Sequence, residues 1–162
     1  MNLHIIKTTY KSLILLSLFF FISNMVFAEG FNTPYELSAA GEGKAGYYLV
    51  EVSAYVTKKK DINIEITKQC AIHGVLFKGY SGNNGYASKP PIIEDKNIEE
   101  EKSEYFKTLI CDKYGYYTTM ANDFKKVIKV GKRYKITTIV QVNAAQLRKD
   151  LEKDNIIRSL GF

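Results

Sequence analysis

The sequence predicts an α+β fold, a two-layer α/β sandwich in which helices cover one face of a mostly antiparallel sheet. Residues 47–57 and 132–142 alternate apolar and polar side chains, as half-buried strands do. Residues 97–111 and 143–158 instead place apolar side chains three or four positions apart, as amphipathic helices do. The predicted element order is β-α-β-loop-α-β-β-α, which fits a sheet covered by helices.

Residues 1–28 have the pattern of an export signal. Lys7 and Lys11 precede an apolar run over residues 12–22, and Val26-Phe27-Ala28 ends the segment. The apolar run is shorter than the roughly 20 residues that a membrane-spanning helix needs. We therefore predict a signal peptide cleaved after Ala28. The exported protein would be periplasmic or extracellular, and it would not span the membrane after cleavage.

The rest of the chain is predicted to hold one domain. Residues 29–46 mix glycines, Pro34 and small side chains with little periodicity, which is typical of a flexible leader. Residues 47–162 have the length of a single domain with its own core.

The first elements are a strand and a helix. In residues 47–57, Tyr48, Val50 and Val52 share the apolar face of the predicted strand. Residues 61–73 fit either a strand or a helix, but Asp61 is a suitable N-cap and favours the helix. We expect this helix to end at Gly74 and a short strand to follow over residues 75–80.

A long loop is predicted next. Residues 81–85 read Ser-Gly-Asn-Asn-Gly, and two prolines extend the irregular stretch to about residue 95. Long loops in small domains are usually functional or mobile, so this loop is the best candidate binding surface.

The C-terminal half is predicted to alternate strands, turns and a final helix. The expected elements are a helix over 97–111, a strand over 114–120, a turn over 121–123, a hairpin of strands 124–130 and 132–142 around Gly131, and a helix capped by Asn143 that runs to Arg158.

The chain is basic, with a formal net charge of +6 at pH 7. Positive charge concentrates in Lys58-Lys59-Lys60 and in residues 125–135, whereas residues 94–104 are acidic. In an exported protein such basic runs more often form solvated surfaces, or charged strand edges that prevent pairing with other chains, than nucleic-acid sites. We predict no nucleic-acid partner, and an anionic surface such as lipid headgroups or an acidic glycan stays open.

Cys70 and Cys111 are the two cysteines of the chain. In an oxidising compartment they could form a disulfide. By the chain-entropy estimate, this cross-link would stabilise the fold by roughly 4 kcal/mol. The alternative is two separately buried thiols, because free cysteine is among the most buried residue types.

Cys70 and His73 are weak candidates for catalysis. Their spacing makes them neighbours on a helix, so a thiol nucleophile with an imidazole base is conceivable. A core thiol beside a satisfied histidine is the favoured interpretation. A zinc site needs more ligands than this pair offers, and hydrolase, P-loop and metalloprotease motifs are absent from the sequence. We therefore predict neither a metal site nor a cofactor.

Tyrosines and asparagines around the long loop are the candidate binding residues, because aromatic faces stack on sugars and form protein contacts. The predicted binding residues are Tyr80, Asn83, Asn84, Tyr86, Tyr114 and Tyr116.

The segments GYYLVEVSAYVTKK, CAIHGVLFKGY and VGKRYKITTIVQVNAAQLRKDLEKDNI together resemble a family of small secreted proteins of unknown function from Bacteroidetes-type bacteria. The resemblance implies a cell-envelope setting and one α+β domain, and it carries no catalytic residues. The leading hypothesis is an exported, non-enzymatic binding protein with a protein or glycan partner in the envelope. The alternatives are a small thiol-dependent or hydrolytic enzyme using Cys70 and His73, or a structural subunit of an envelope assembly.

Overall fold

The computed structural model describes residues 31–159, so the predicted signal peptide and its cleavage site lie outside the described residues. The described chain mixes helices with an open antiparallel sheet, which confirms the predicted α+β class. The sheet order is β1-β2-β4-β3. Its strands are β1 (Tyr35–Ala39), β2 (Tyr48–Val56), β3 (Thr118–Val130) and β4 (Arg133–Val142).

The central pair of strands, β2 and β4, forms the floor of the core. Val50 lies opposite Val140, and Val52 lies opposite Thr138. These side chains are fully buried, whereas the residues between them are partly exposed. The alternation read from the sequence therefore sorts the strands into a core face and a second face, as the period of a strand requires.

Strand β1 corrects the prediction of a flexible leader over residues 29–46. Leu37 pairs with Val52, and Ala39 pairs with Val50 and is buried. The alternation of Tyr35, Leu37 and Ala39 covers only one short strand between segments rich in small residues. That length is too little for a clear periodic signal.

Helix α1 (Ile64–Phe77) packs on β2 and β4. It begins at Asn63, whose side chain accepts a hydrogen bond from the Ile66 amide at 2.8 Å. Asp61, the predicted cap, instead ends a short 3-10 turn (Lys59–Asp61). Inside the core, the Thr138 hydroxyl donates to the Thr67 hydroxyl at 2.9 Å, and Thr67 donates to the Ile64 carbonyl at 2.7 Å.

Gly74 does not end this helix, and the predicted strand over residues 75–80 was wrong. A Cβ at Gly74 would lie 2.7 Å from a methyl carbon of Leu37, so the glycine lets the helix approach β1 closely. The helix ends one turn later, because Gly79 takes the left-handed conformation with φ 68°.

The predicted helix over residues 97–111 is divided into short pieces. These are α2 (Ile98–Glu101), α3 (Ser103–Lys107) and a π-helical segment (Thr108–Asp112), followed by α4 (Tyr114–Tyr117). Phe106, Leu109 and Ile110 are buried, so the predicted apolar side of the segment is correct although its continuity is not. The strand predicted from Tyr114 begins at Thr118.

The hairpin around Gly131 is confirmed. Val130 pairs with Arg133, and Gly131 has φ 61°, as expected for a glycine in a two-residue turn. The turn predicted over residues 121–123 was wrong, since β3 runs through it with a register shift between Met120 and Lys125. Helix α5 (Ala144–Lys153) is capped by Asn143 as predicted and ends before Arg158.

Candidate functional site

Residues 80–89 form a small hairpin, called here the 80–89 hairpin, in place of the predicted irregular loop. Tyr80 and Lys89 exchange two backbone hydrogen bonds of 3.0 and 3.1 Å. Asn83 and Tyr86 pair across the tip, where Asn84 and Gly85 have φ values of 50° and 84°. Positive φ at both central residues is the pattern of a type I′ turn, which Asn-Gly favours.

The base of this hairpin is fixed to the rest of the fold. The Ala39 amide donates to the Ser81 carbonyl at 2.8 Å, so the hairpin extends the β1 edge of the sheet. The Tyr80 ring meets the Tyr48 ring edge-on at 5.6 Å between centroids. Burial raises the pKa of Tyr80 to about 12.

The segment after the hairpin closes the end of helix α1. The amides of Ile92 and Ile93 donate to the carbonyls of Val75 and Leu76 at 3.0 and 2.9 Å. Both isoleucines are buried in the core. The orphan carbonyls of a helix end need such partners, so this contact holds residues 90–93 in place.

The hairpin tip is exposed. Asn84 is exposed and Asn83 is half-buried, whereas the Tyr86 side chain is 40% exposed. The structure therefore brings four of the predicted binding residues into one feature, with Tyr80 at its base and the other three at its tip.

Tyr114 and Tyr116 belong to a different surface. They lie on α4, where Tyr114 is beside Glu65 in the first turn of α1, and Tyr116 is 71% exposed. The 80–89 hairpin follows the other end of α1, a helix about 21 Å long at 1.5 Å per residue. The six predicted binding residues therefore do not form one site.

His73 is buried and forms a hydrogen-bond chain with the partly exposed Tyr35 and Glu99. The carboxylate of Glu99 can only accept, so the Nε2–H of His73 donates to it at 2.8 Å. The Nδ1 atom then accepts from the Tyr35 hydroxyl. Both ring nitrogens are occupied.

Aromatic rings surround this histidine. Phe31 stacks on the imidazole at 4.9 Å and Phe77 lies at 5.2 Å, both measured between ring centroids. Burial lowers the pKa of His73 below its ordinary 6.5, and Glu99 opposes the shift in part. The neutral imidazole thus joins strand β1 to the start of α2. Sequence reasoning found His73 but missed its partners, which lie 38 and 26 residues away along the chain.

The two cysteines are free in the structure, so the disulfide between Cys70 and Cys111 is not formed. Cys70 is fully buried, as the alternative predicted, but Cys111 is exposed. Burial raises the pKa of the Cys70 thiol to about 12. A nucleophilic thiolate needs a lowered pKa and access, and Cys70 has neither.

A polar cleft of about 400 Å³ lies between α5 and the segment before β3. The Tyr117 hydroxyl donates to Asp150 at 2.9 Å, and the Tyr105 hydroxyl donates to Asp154 at 2.8 Å. Each carboxylate is thereby occupied within the protein and holds α5 in place. The sequence carries no signal for these residues, because each pair joins distant segments.

Comparison with known proteins adds no relative: no family model, curated protein or solved structure matches the chain. The resemblance to small secreted Bacteroidetes-type proteins therefore stays a prediction. Among the side chains that the structure describes, those of residues 31–121 and 125–159, no group of three His, Cys, Asp or Glu is placed to hold a metal ion. Over the same residues no helix has the length and apolar character that a bilayer crossing requires.

Proposed function

We propose that the chain is an exported, non-enzymatic interaction protein of the bacterial cell envelope that binds a protein partner through the 80–89 hairpin. In this proposal the domain is a two-layer sandwich, with helices on one sheet face and the hairpin projecting from the β1 edge. One observation carries the proposal, namely an exposed tip on a fixed base.

The residue types at the tip suit protein recognition. Residues 81–88 are Ser, Gly, Asn, Asn, Gly, Tyr, Ala and Ser. Tyrosine supplies a large amphipathic contact at low entropic cost, and Ser, Gly and Asn supply adaptable hydrogen bonds, as they do in antibody loops. Because hydrogen bonds already hold the base of the hairpin in place, little conformational entropy is lost on binding, which favours affinity.

The enzymatic alternative has weaker support. A Cys70 nucleophile with His73 as base needs an accessible thiol and a free ring nitrogen. Cys70 is fully buried, and both nitrogens of His73 already have partners. The geometry therefore favours binding over thiol chemistry.

Site-specific photo-crosslinking tests the proposal. A photoreactive phenylalanine analogue replaces Tyr86 in the producing cell, and a matched variant carries the same group at Tyr116, an exposed tyrosine on the distant α4 surface. We expect one discrete adduct from position 86 and none from position 116, with unchanged thermal stability of both variants. Absence of an adduct at position 86, or the same adduct from both positions, would contradict it.

A further inference from the structure

The far end of the β3–β4 hairpin exposes an apolar group of side chains. Six large hydrophobic residues are exposed in the described chain, and three of them are tyrosines at scattered positions. The other three are aliphatic and lie within four residues of one strand. They are Val127, Ile128 and Val130, with exposed fractions of 40, 43 and 47%.

These aliphatic side chains occupy both faces of the hairpin. Val127 pairs with Ile136 on the face that carries the core, whereas Ile128 pairs with Lys135 on the opposite face. Strand β3 is the last strand of the sheet, so no further strand covers this end among the described residues. Single exposed aliphatics are ordinary, but a cluster on both faces of a projecting tip indicates an interaction surface.

Basic residues surround the apolar group. Within residues 125–133, the exposed cations are Lys125, Lys126, Lys129, Lys132 and Arg133. Strand β2 ends beside them, because Val56 and Lys129 both pair with Tyr134. Lys58, Lys59 and Lys60 therefore add exposed positive charge at the same end. We call residues 58–60 and 125–133 the basic tip.

Glu36 and Asp61 are acidic residues beside the basic tip. Glu36 is paired with Lys135 at 3.4 Å, and Asp61 ends the 3-10 turn. The cations outnumber these carboxylates, so the partner that complements the tip is anionic. Its exposed aliphatic side chains also favour a partner that offers apolar surface.

We infer that the basic tip docks on an anionic lipid surface. Aliphatic side chains enter the boundary between headgroups and acyl chains, and lysines place their stems there while their charges meet the headgroups. A single-stranded nucleic acid is disfavoured, because single strands are held by aromatic stacking and the exposed apolar side chains here are aliphatic. Edge pairing of two copies is disfavoured, because it would bring the lysines of two β3 strands together.

The docked orientation would leave the 80–89 hairpin free. That hairpin lies beside Tyr48, at the start of β2, while the basic tip lies beyond Val56, at its end. The eight steps between these residues separate them by roughly 26 Å. The inference does not rest on the proposed protein partner, because it uses other residues and another binding reaction.

Vesicle binding of the protein purified in its exported form tests the inference. The probes are vesicles of phosphatidylcholine alone and of phosphatidylcholine mixed with phosphatidylglycerol, at low and high salt. We expect binding to the anionic vesicles only, weakened by salt. The K129Q/K132Q/R133Q variant should lower the partition coefficient roughly 100-fold, since each basic residue near such a surface contributes about a fivefold factor.

A control variant separates a local patch from overall charge. The K102Q/K107Q/K149Q variant removes the same charge from exposed positions elsewhere and should bind nearly as well as the parent protein. Equal loss in both variants would overturn the inference, as would the absence of any vesicle binding. Salt-sensitive capture of an acidic protein without vesicle binding would identify a protein partner instead and would likewise overturn it.

The depth of docking can be read from fluorescence, because the chain contains no tryptophan. A Val130→Trp variant should shift its emission to the blue on anionic vesicles and be quenched by brominated lipid. A Tyr86→Trp variant, with its reporter at the other end of the molecule, should do neither. Identical responses from the two reporters would contradict the proposed orientation.

Discussion

Two glycines with left-handed backbone close turns in contrasting regions of the molecule. Gly79 ends helix α1, where a Cβ would lie 2.3 Å from the carbonyl oxygen of Lys89. Gly131 closes the β3–β4 hairpin, where nothing lies within 4 Å of such a Cβ. The α1 end is thus packed against residues 89–91, whereas the tip of the β3–β4 hairpin is in open space. We infer that the packed residues at the end of α1 have a structural role and that the exposed residues at the tip are available for interaction.

Replacing each of these two glycines by alanine should give the largest difference in unfolding free energy between the two regions. Both replacements strain a positive φ, at a cost of about 1–2 kcal/mol. Gly79→Ala also forces backbone apart, so its total loss should be about 3 kcal/mol or more. Urea denaturation of the two variants measures the difference. Equal losses would show that the α1 end yields as readily as the tip.

Lowering the pH should reduce stability through His73, which lies in the packed region and not at the tip. The folded pKa of His73 lies below 6.5, so the unfolded chain takes up the proton first as the pH falls. The His73 contribution to stability is complete above about pH 6.5 and is lost below it, by at most about 1.4 kcal/mol per pH unit. Urea denaturation between pH 7 and 5 should show this slope, and His73→Gln should reduce it. An unchanged slope in that variant would assign the acid sensitivity to other groups.

The smallest effect is expected at the tip itself. Replacing Val127 and Val130 by Thr keeps the β-branched shape and removes little buried surface, so the unfolding free energy should change by less than about 0.5 kcal/mol. A loss well above this value would mean that the tip is part of the core. A negligible loss together with weakened vesicle binding would support its role in docking.

The sequence predicted the fold class through its longest periodic segments. Residues 132–142 alternate over a full strand, and the structure places that strand at the centre of the sheet. Short elements escaped prediction because their form depends on distant partners. Strand β1 exists through its pairing with β2, and the end of α1 is set by residues 92–93.

Prediction of the candidate sites was limited in the same way by contacts between distant residues. The tyrosines and asparagines of the 80–89 hairpin could be found from turn composition, because Asn-Gly encodes its own conformation. The chain from Tyr35 through His73 to Glu99 could not, since three separate elements supply its members. The predicted link between the hairpin and Tyr116 failed because the length of α1 separates them.

The register shift within β3 divides the strand into a half beside the core and an exposed half. Thr118 to Met120 pair with β4 beside the core, and pairing resumes at Lys125 in the exposed half. This irregularity interrupts the ladder of hydrogen bonds, so opening of one half need not propagate into the other. Amide hydrogen exchange should therefore divide the strand at this point, with slow exchange before it and fast exchange beyond it. The tip could then reshape itself against a curved surface while the core stays closed.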